Sequence, residues 1–316
     1  MPVLTHELGI DLGTKNIVVI EGNQVLIDEP TVTAILADEQ KMVEWGQAAQ
    51  DMEGRVPESI EIVRPLNHGV IAEYEITEKL LAIIVKRVSG SMRFFRPKIM
   101  ITVPYGVTSV ESRAVHEAGL GAGSREVYLI HQPLAAALGV DLPIGSPAGN
   151  MILSLGGGTI QAAVLAMNNI IRAATSRTGG MMFDEAVISY IKKKYGIIIG
   201  LPTAEQLKIR IGSAIPTDQQ QIMEIQGQDQ VSGLPKPLTL TTDDIFDALR
   251  EPLQEVVNVC KSVLEKTPPE LISDIIDRGV ALCGGGSMLP GLDKFLTKSL
   301  GIPAYLVDNP TTCTAE

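Results

Sequence analysis

The chain has 316 residues, of which 45% are hydrophobic, and a net charge of −11 at pH 7; at roughly 150 residues per domain that allows about two domains with ample core. The apolar share excludes a disordered chain, and the acidic balance without long Lys or Arg runs argues against phosphate-neutralising contacts, so no nucleic-acid partner is expected. Three cysteines, Cys260, Cys283 and Cys313, are odd in number and far apart, form no metal-spaced pair and suit a reduced cytosolic compartment. The opening MPVLTHELGIDLG lacks the basic and apolar regions of a signal peptide, and no apolar stretch of about 18 residues follows, so a soluble protein is expected.

In chain order, LGIDLGTKNI (residues 8–17) runs from an apolar strand through a glycine turn into a second strand, NIVVIEG, which reads as a β-hairpin. VLIDEPTVTAILADEQKMVEWG is another strand pair with a polar loop. Residues 77–88, TEKLLAIIVKRV, repeat apolar positions at helical spacing behind Thr77 as N-cap. KIMITVPYG reads as a buried strand, TSVESRAVHEAGLGAG as a helix ending at glycine, and EVYLIHQPLAAALG as a strand, a turn and a helix start. MILSLGGGTI (151–160), continuing into TIQAAVLAM, repeats the first hairpin at an offset of 143, which lays Leu155 on Leu12, Gly156 on Gly13, Thr159 on Asn16 and Ser154 on Asp11. DEAVISYIKKKYG predicts a helix with Asp184 as N-cap and a stop at Gly196; TAEQLKIRIGSA predicts another. Residues 216–237 read as an exposed β-excursion and about 243–265 as a long helix. The last segment reads as helix, strand, glycine loop and helix. Strands alternating with helices in two similar halves make an α/β protein.

Three strands end in glycine loops, at Gly13-Thr14, at Gly156-Gly157-Gly158-Thr159 and at Gly284-Gly285-Gly286-Ser287. Such turns let backbone N–H groups converge on an anion, and a neighbouring hydroxyl adds a contact. One loop alone equally serves a turn or bulge; three, two of them related by duplication, point to a phosphate cleft. None matches the P-loop or the dinucleotide fingerprint.

Together GIDLGTKN, LSLGGGT, PTAEQLKIRIGSA and ALCGGGSMLPGLDKFL resemble the actin, sugar kinase and heat-shock chaperone ATPase superfamily. Within it, DEPTVTAI, RPLNHGVIAEYEITEKLL, FRPKIMITVPYGVTSVESRAV, DEAVISYIKKKYGIIIG and LEKTPPELISDIIDRG make the chain similar, over nearly its whole length, to the bacterial actin family MreB. The resemblance implies an actin-like fold with duplicated ribonuclease-H-like cores around a nucleotide cleft. Domain I would span 1–147, with a small subdomain at about 33–64. Domain II would span 148–316, with a small subdomain at about 183–242. The family continues with a further helix after PTTCTAE.

Carried over by position, Gly13, Thr14, Lys15 and Asn16 would form the first ATP phosphate hairpin, and Gly156, Gly157, Gly158 and Thr159 the second. Glu205, Gln206, Leu207 and Lys208 would hold the adenosine, with Glu205 and Lys208 on one helix face. By themselves those two residues read as a solvated surface ion pair. Gly285, Gly286, Ser287 and Met288 would line the base and sugar. Asp11 would orient Mg²⁺ through water. The family's second hairpin opens with Asp where this chain has Ser154, its Glu-Glu-Pro reads His131-Gln132-Pro133 here, and its Gly-Gly-Asp reads Gly179-Gly180-Met181. Gln132 can orient water but cannot accept its proton. Nucleotide binding is therefore expected to survive while hydrolysis is slow.

By the same resemblance the chain polymerises with itself at the inner face of the cell membrane and works with cell-wall elongation proteins in cell shape. The alternative is an ATPase-deficient paralogue forming stable cargo-positioning or regulatory filaments. In SGSMRFFRPK, Phe94 and Phe95 lie between Arg93, Arg96 and Lys98, which suits an anionic bilayer surface as well as a loop whose aromatics enter the core.

Overall fold

The computed structural model describes residues 6–89 and 96–316; Phe94 and Phe95 lie outside the described residues. The first half opens with β1 (Glu7–Leu12), β2 (Asn16–Glu21) and β3 (Gln24–Pro30), an antiparallel meander. Then come β4 (Thr33–Leu36), β5 (Lys41–Trp45), α1 (Gln47–Asp51) and β6 (Ile60–Val63), with β4 paired to both β5 and β6 in a small separate sheet. A short ribbon of β7 (Leu66–Asn67) and β8 (Val70–Ile71) leads into α2 (Tyr74–Ser89), β9 (Lys98–Val103), α3 (Ser109–Gly121), β10 (Glu126–His131) and α4 (Gln132–Gly139). The main sheet has the order β10-β9-β1-β2-β3, with β9 parallel to both of its neighbours. Alternation along β1 sends Leu8, Ile10 and Leu12 into one core with Leu80, Leu81 and Ile84 of α2.

The second half repeats the design. It comprises β11 (Asn150–Leu155), β12 (Ile160–Ala166), β13 (Asn169–Ser176), α5 (Gly180–Tyr195), β14 (Ile197–Ile198), α6 (Leu201–Ile211), β15 (Ile222–Asp229) and β16 (Pro235–Thr241). It then continues through α7 (Thr242–Leu264), α8 (Pro269–Arg278), β17 (Val280–Cys283), α9 (Leu292–Leu300) and β18 (Ala304–Leu306). The sheet order, β13-β12-β11-β17-β18, is that of the first half element for element. The registers agree as well: Asp11 pairs with Val18 in the first hairpin and Ser154 with Gln161 in the second. Every residue of β11 and β12 is buried, because separate apolar clusters cover the two faces of this sheet. The β-excursion is the β15–β16 hairpin, joined to β14 in a three-stranded sheet.

The structure corrects three local readings. Helix α2 starts at Tyr74, not after Thr77, whose hydroxyl sits inside the helix and donates back to Glu73 O at 2.7 Å. Helix α5 starts at Gly180, and Asp184 lies buried one turn inside it; its first N–H groups, Gly180 N and Met181 N, donate to Gly156 O and Gly157 O at 2.8 and 2.9 Å, so the second glycine loop caps the helix. No turn separates β10 from α4; Pro133 in the first turn of α4 presets the helical φ. All three cysteines are free and buried, and Cys283 and Cys313 share one apolar cluster.

Candidate functional site

The two duplicated hairpins meet tip to tip. In the first, Gly13 N donates to Asn16 O at 3.1 Å, and Thr31 holds the loop from below, its hydroxyl donating to Gly13 O at 2.8 Å and its N–H to Lys15 O at 2.7 Å. In the second, Gly156 N donates to Thr159 O at 3.0 Å. A Cβ on Gly157 would stand 2.5 Å from the Lys15 Cβ, and one on Gly158 would stand 2.8 Å from the Thr14 Cβ, so only glycine lets the loops approach this closely. The third loop leaves β17 through Gly284, at φ 85°, whose N–H donates to Pro310 O at 2.7 Å, and winds into a 3₁₀ turn over Gly285–Met288.

Between the three loops lies a cleft of about 280 Å³. Its lining includes Gly13, Thr14, Lys15 and Asn16 from the first hairpin, and Gly156, Gly157, Gly158 and Thr159 from the second. Asp11, Gln132, Ser154, Glu205, Lys208, Gly285 and Gly286 also face it. Four residues of the same sequence strings do not. Leu207 is a fully buried core residue, Gln206 is exposed, Ser287 turns its hydroxyl to Gly284 O at 2.6 Å, and Met288 is exposed. A larger, mostly apolar hollow of about 530 Å³ lies against β1, β9, β10, α4 and residues 314–316; it carries no glycine loop, and the polar chemistry sits in the smaller cleft.

Glu205 and Lys208 are not paired with each other on a wet surface. Lys15 reaches across the cleft to form an ion pair and hydrogen bond with Glu205, and it lies 3.8 Å from Asp184 Oδ2. Lys208 Nζ donates to Gly180 O at 3.1 Å and approaches Asp184 Oδ1 at 2.7 Å, a charge contact at an angle poor for a hydrogen bond. Burial pushes the Asp184 carboxyl above its usual range, and Lys208 opposes that shift. Two cations and two anions thus balance within this cluster, and an arriving phosphate would compete with Glu205 for Lys15.

At the other side Asp11 accepts from Thr102 Oγ1 at 2.5 Å and from Gln132 Nε2 at 3.2 Å. Burial raises the pKa of Asp11, and those two hydrogen bonds lower it in part. Both land on Oδ1; among the described residues Oδ2 takes no protein hydrogen bond, which leaves it open to a metal-bound water. Among the described residues no cluster of three or more His, Cys, Asp or Glu could cage a metal. A single carboxylate oxygen beside a phosphate cradle fits Mg²⁺, which keeps several waters and takes the rest from substrate phosphates. Ser154, buried beside Cys283 on β17, offers only a hydroxyl at the position that duplicates Asp11.

Several neighbours of the cleft lie outside the candidate site residues that the sequence singles out. Gly69 N donates to Thr14 Oγ1 at 2.8 Å, and Gln161 Nε2 donates to Gln132 Oε1 at 2.5 Å. Gln161 and Thr102 each had a signal, being uncharged polar side chains set among the apolar residues of IQAAVLA and KIMITV.

A model of the MreB/Mbl protein family matches residues 5–316. The cell shape-determining protein MreB of Escherichia coli (strain K12) is 41% identical over 320 residues, covering 99% of this chain and 92% of that protein. The cell shape-determining protein Mbl of Bacillus cereus (strain ATCC 10987) is 40% identical over 314 residues, covering 99% and 94%. Among solved structures, MreB5 of Spiroplasma citri bound to AMPPNP superposes with a TM-score of 0.94 at 31% identity, covering 99% of this chain and 94% of that one.

Proposed function

The chain belongs to the MreB/Mbl family, and on that footing we propose that it binds ATP between its duplicated hairpins and polymerises into filaments that organise cell shape and wall synthesis. The observation that carries this reading is the convergence of three glycine loops on one cleft, with Lys15 and Lys208 beside it. The relatives named for cell-shape determination and the AMPPNP-bound neighbour give it direction. The halves 1–147 and 148–316 act as the two domains flanking the nucleotide, with small subdomains at about 33–64 and 183–242. Mg²⁺ bound with the nucleotide neutralises phosphate charge, and Asp11 holds it through water.

Head-to-tail contacts use different patches at each end and therefore propagate. The filament lies on the cytoplasmic face of the membrane, held by Phe94 and Phe95 beside their cations, in reach of cell-wall elongation proteins. No helix among the described residues is long and apolar enough to cross a membrane, so attachment is peripheral in this reading. Replacing Phe94 and Phe95 by Ser should abolish co-sedimentation with anionic liposomes; unchanged binding rejects the attachment. The 41% identity to a cell shape-determining protein over nearly the whole chain weighs against a dedicated cargo-positioning paralogue.

Hydrolysis is slow because Ser154 carries no charge and Gln132 no basic oxygen. Each lost group of this kind costs on the order of 10² to 10³ in rate. The test is phosphate release and pelleting with ATP for the chain beside Ser154→Asp. ATP-dependent polymer with slow release, and at least about tenfold faster release in the variant, is expected. A chain that never pellets with any nucleotide refutes the proposal.

A further inference from the structure

We propose that Gln161 is a positioning residue that fixes the direction of the Gln132 amide, so that Gln132 donates to Asp11 and its oxygen is withheld from the attacking water. The inference rests on the proposed ATP hydrolysis at this cleft and names what restrains it.

The direction is set by a group that cannot reverse. The backbone N–H of Tyr105 can only donate, and it lies 2.8 Å from Gln161 Oε1. The other end of that side chain is therefore the amino group. Gln161 Nε2 has two protons and uses them on Gln132 Oε1 at 2.5 Å and Thr159 Oγ1 at 3.2 Å. Gln132 must then turn its oxygen to Gln161 and its Nε2 to Asp11 Oδ1, 3.2 Å away. Reversing Gln132 alone would set two amino groups face to face and aim an oxygen at a carboxylate. Tyr105 is itself pinned, since its carbonyl accepts from Thr175 Oγ1 of β13 at 2.8 Å. Both glutamines are buried, Gln132 at 8% and Gln161 at 1% exposure, where unpaired amide groups are penalised. One backbone amide thus dictates the polarity of two side chains in series.

A glutamine orients an attacking water with its carbonyl oxygen. Here that oxygen faces Gln161, which stands behind the cleft wall, while Gln132 itself lines the cleft. Beside Asp11, Gln132 offers a second N–H, which cannot accept a hydrogen bond from the water; its oxygen keeps a second lone pair but is engaged by Gln161 and turned toward it. The residue best placed to direct hydrolysis is held in its donating pose until the bond to Gln161 opens. Gln161 does not itself line the cleft; it reaches the lining through Gln132 and through Thr159 Oγ1, and of these two only Gln132 is bonded to Asp11.

The experiment uses the full chain with ATP and compares wild type, Gln161→Met, Gln161→Glu, Gln132→Ala and Gln132→Ala/Gln161→Met. Phosphate release gives kcat and KM, and a fluorescent non-hydrolysable ATP analogue gives Kd. Gln161→Met keeps the length of the side chain and removes both polar ends. It should raise kcat at least threefold, leaving KM and Kd unchanged. The rise should vanish in the double variant, because the effect passes through Gln132. Gln161→Glu keeps an acceptor for Tyr105 N–H and exchanges the donor to Gln132 for a carboxylate oxygen, so the bond that engages Gln132 Oε1 is lost and the same rise in kcat is expected should Gln161→Met not fold. An unchanged or lower kcat in a folded Gln161 variant overturns the inference. So does an equal rise without Gln132, or flat release in every variant while the analogue binds. Failure of the wild-type chain to bind the analogue would instead reject the nucleotide site, and the inference with it.

Discussion

Burial disfavours the charged form of Asp11, which hydrogen bonds from Thr102 and Gln132 support. Its folded pKa lies above the ordinary value of 3.8, so ionisation costs folding free energy. That cost is absent below the unfolded pKa and complete above the folded one. In the nucleotide-free protein, Asp11→Asn should therefore raise Tm at neutral pH. The gain should shrink as pH falls through the folded pKa and vanish below 3.8; thermal melts across that range check it. If Asp11 holds Mg²⁺ through water as proposed, the same substitution should also weaken binding of Mg²⁺ with ATP. Asp184 is the contrasting anion: it has its cations, Lys208 and Lys15, in the fold already. At the residue scale Asp11 and the glycines were legible because carboxylate and glycine each have few roles at a strand end. Asp184 was not, since an acid near a helix start looks like a cap until the partner two elements away is placed.

Helix α7 illustrates what an element encodes on its own. Its buried residues Ile245, Leu249, Leu253, Val256, Cys260 and Val263 recur at helical spacing. The Thr241 hydroxyl and the Asp244 carboxylate close a capping box at its start. Thr241→Ala should cost about 1 kcal/mol, and Leu253→Ala, at a site 1% exposed, about 2–5 kcal/mol. Urea denaturation of the two variants tests the ordering; a larger loss for the cap than for the core would contradict it. Such helices read cleanly from sequence, and so did both hairpins. The start of α5 did not, because its cap is not a side chain at all. The carbonyls of Gly156 and Gly157 take its first N–H groups, and no local pattern announces a cap supplied by another hairpin.

At the scale of the whole molecule, the cleft exists because two copies of one sheet bring their glycine loops into contact. Gly157→Ala places a methyl 2.5 Å from the Lys15 Cβ. It should part the hairpins and lower ATP affinity at least about tenfold, or about 1.4 kcal/mol. The core is remote from that contact, so Tm should change little. Fluorescent-nucleotide titration and a thermal melt separate the two effects. An affinity equal to wild type would mean that the loops do not close on the ligand.

Residue order alone determined the duplication, the glycine turns, most helix limits and the absence of a carboxylate at Ser154. Each is a matter of local propensity, periodicity or identity, and each acts within a few residues of chain. Tertiary structure alone decided that Lys15 clasps Glu205, that Lys208 holds a buried Asp184, and that Tyr105 sets the direction of Gln161 and, through it, of Gln132. Those bonds join positions far apart in sequence. A hydrogen bond forms only within a few tenths of an ångström and a narrow angle, and only the packing of whole elements sets both.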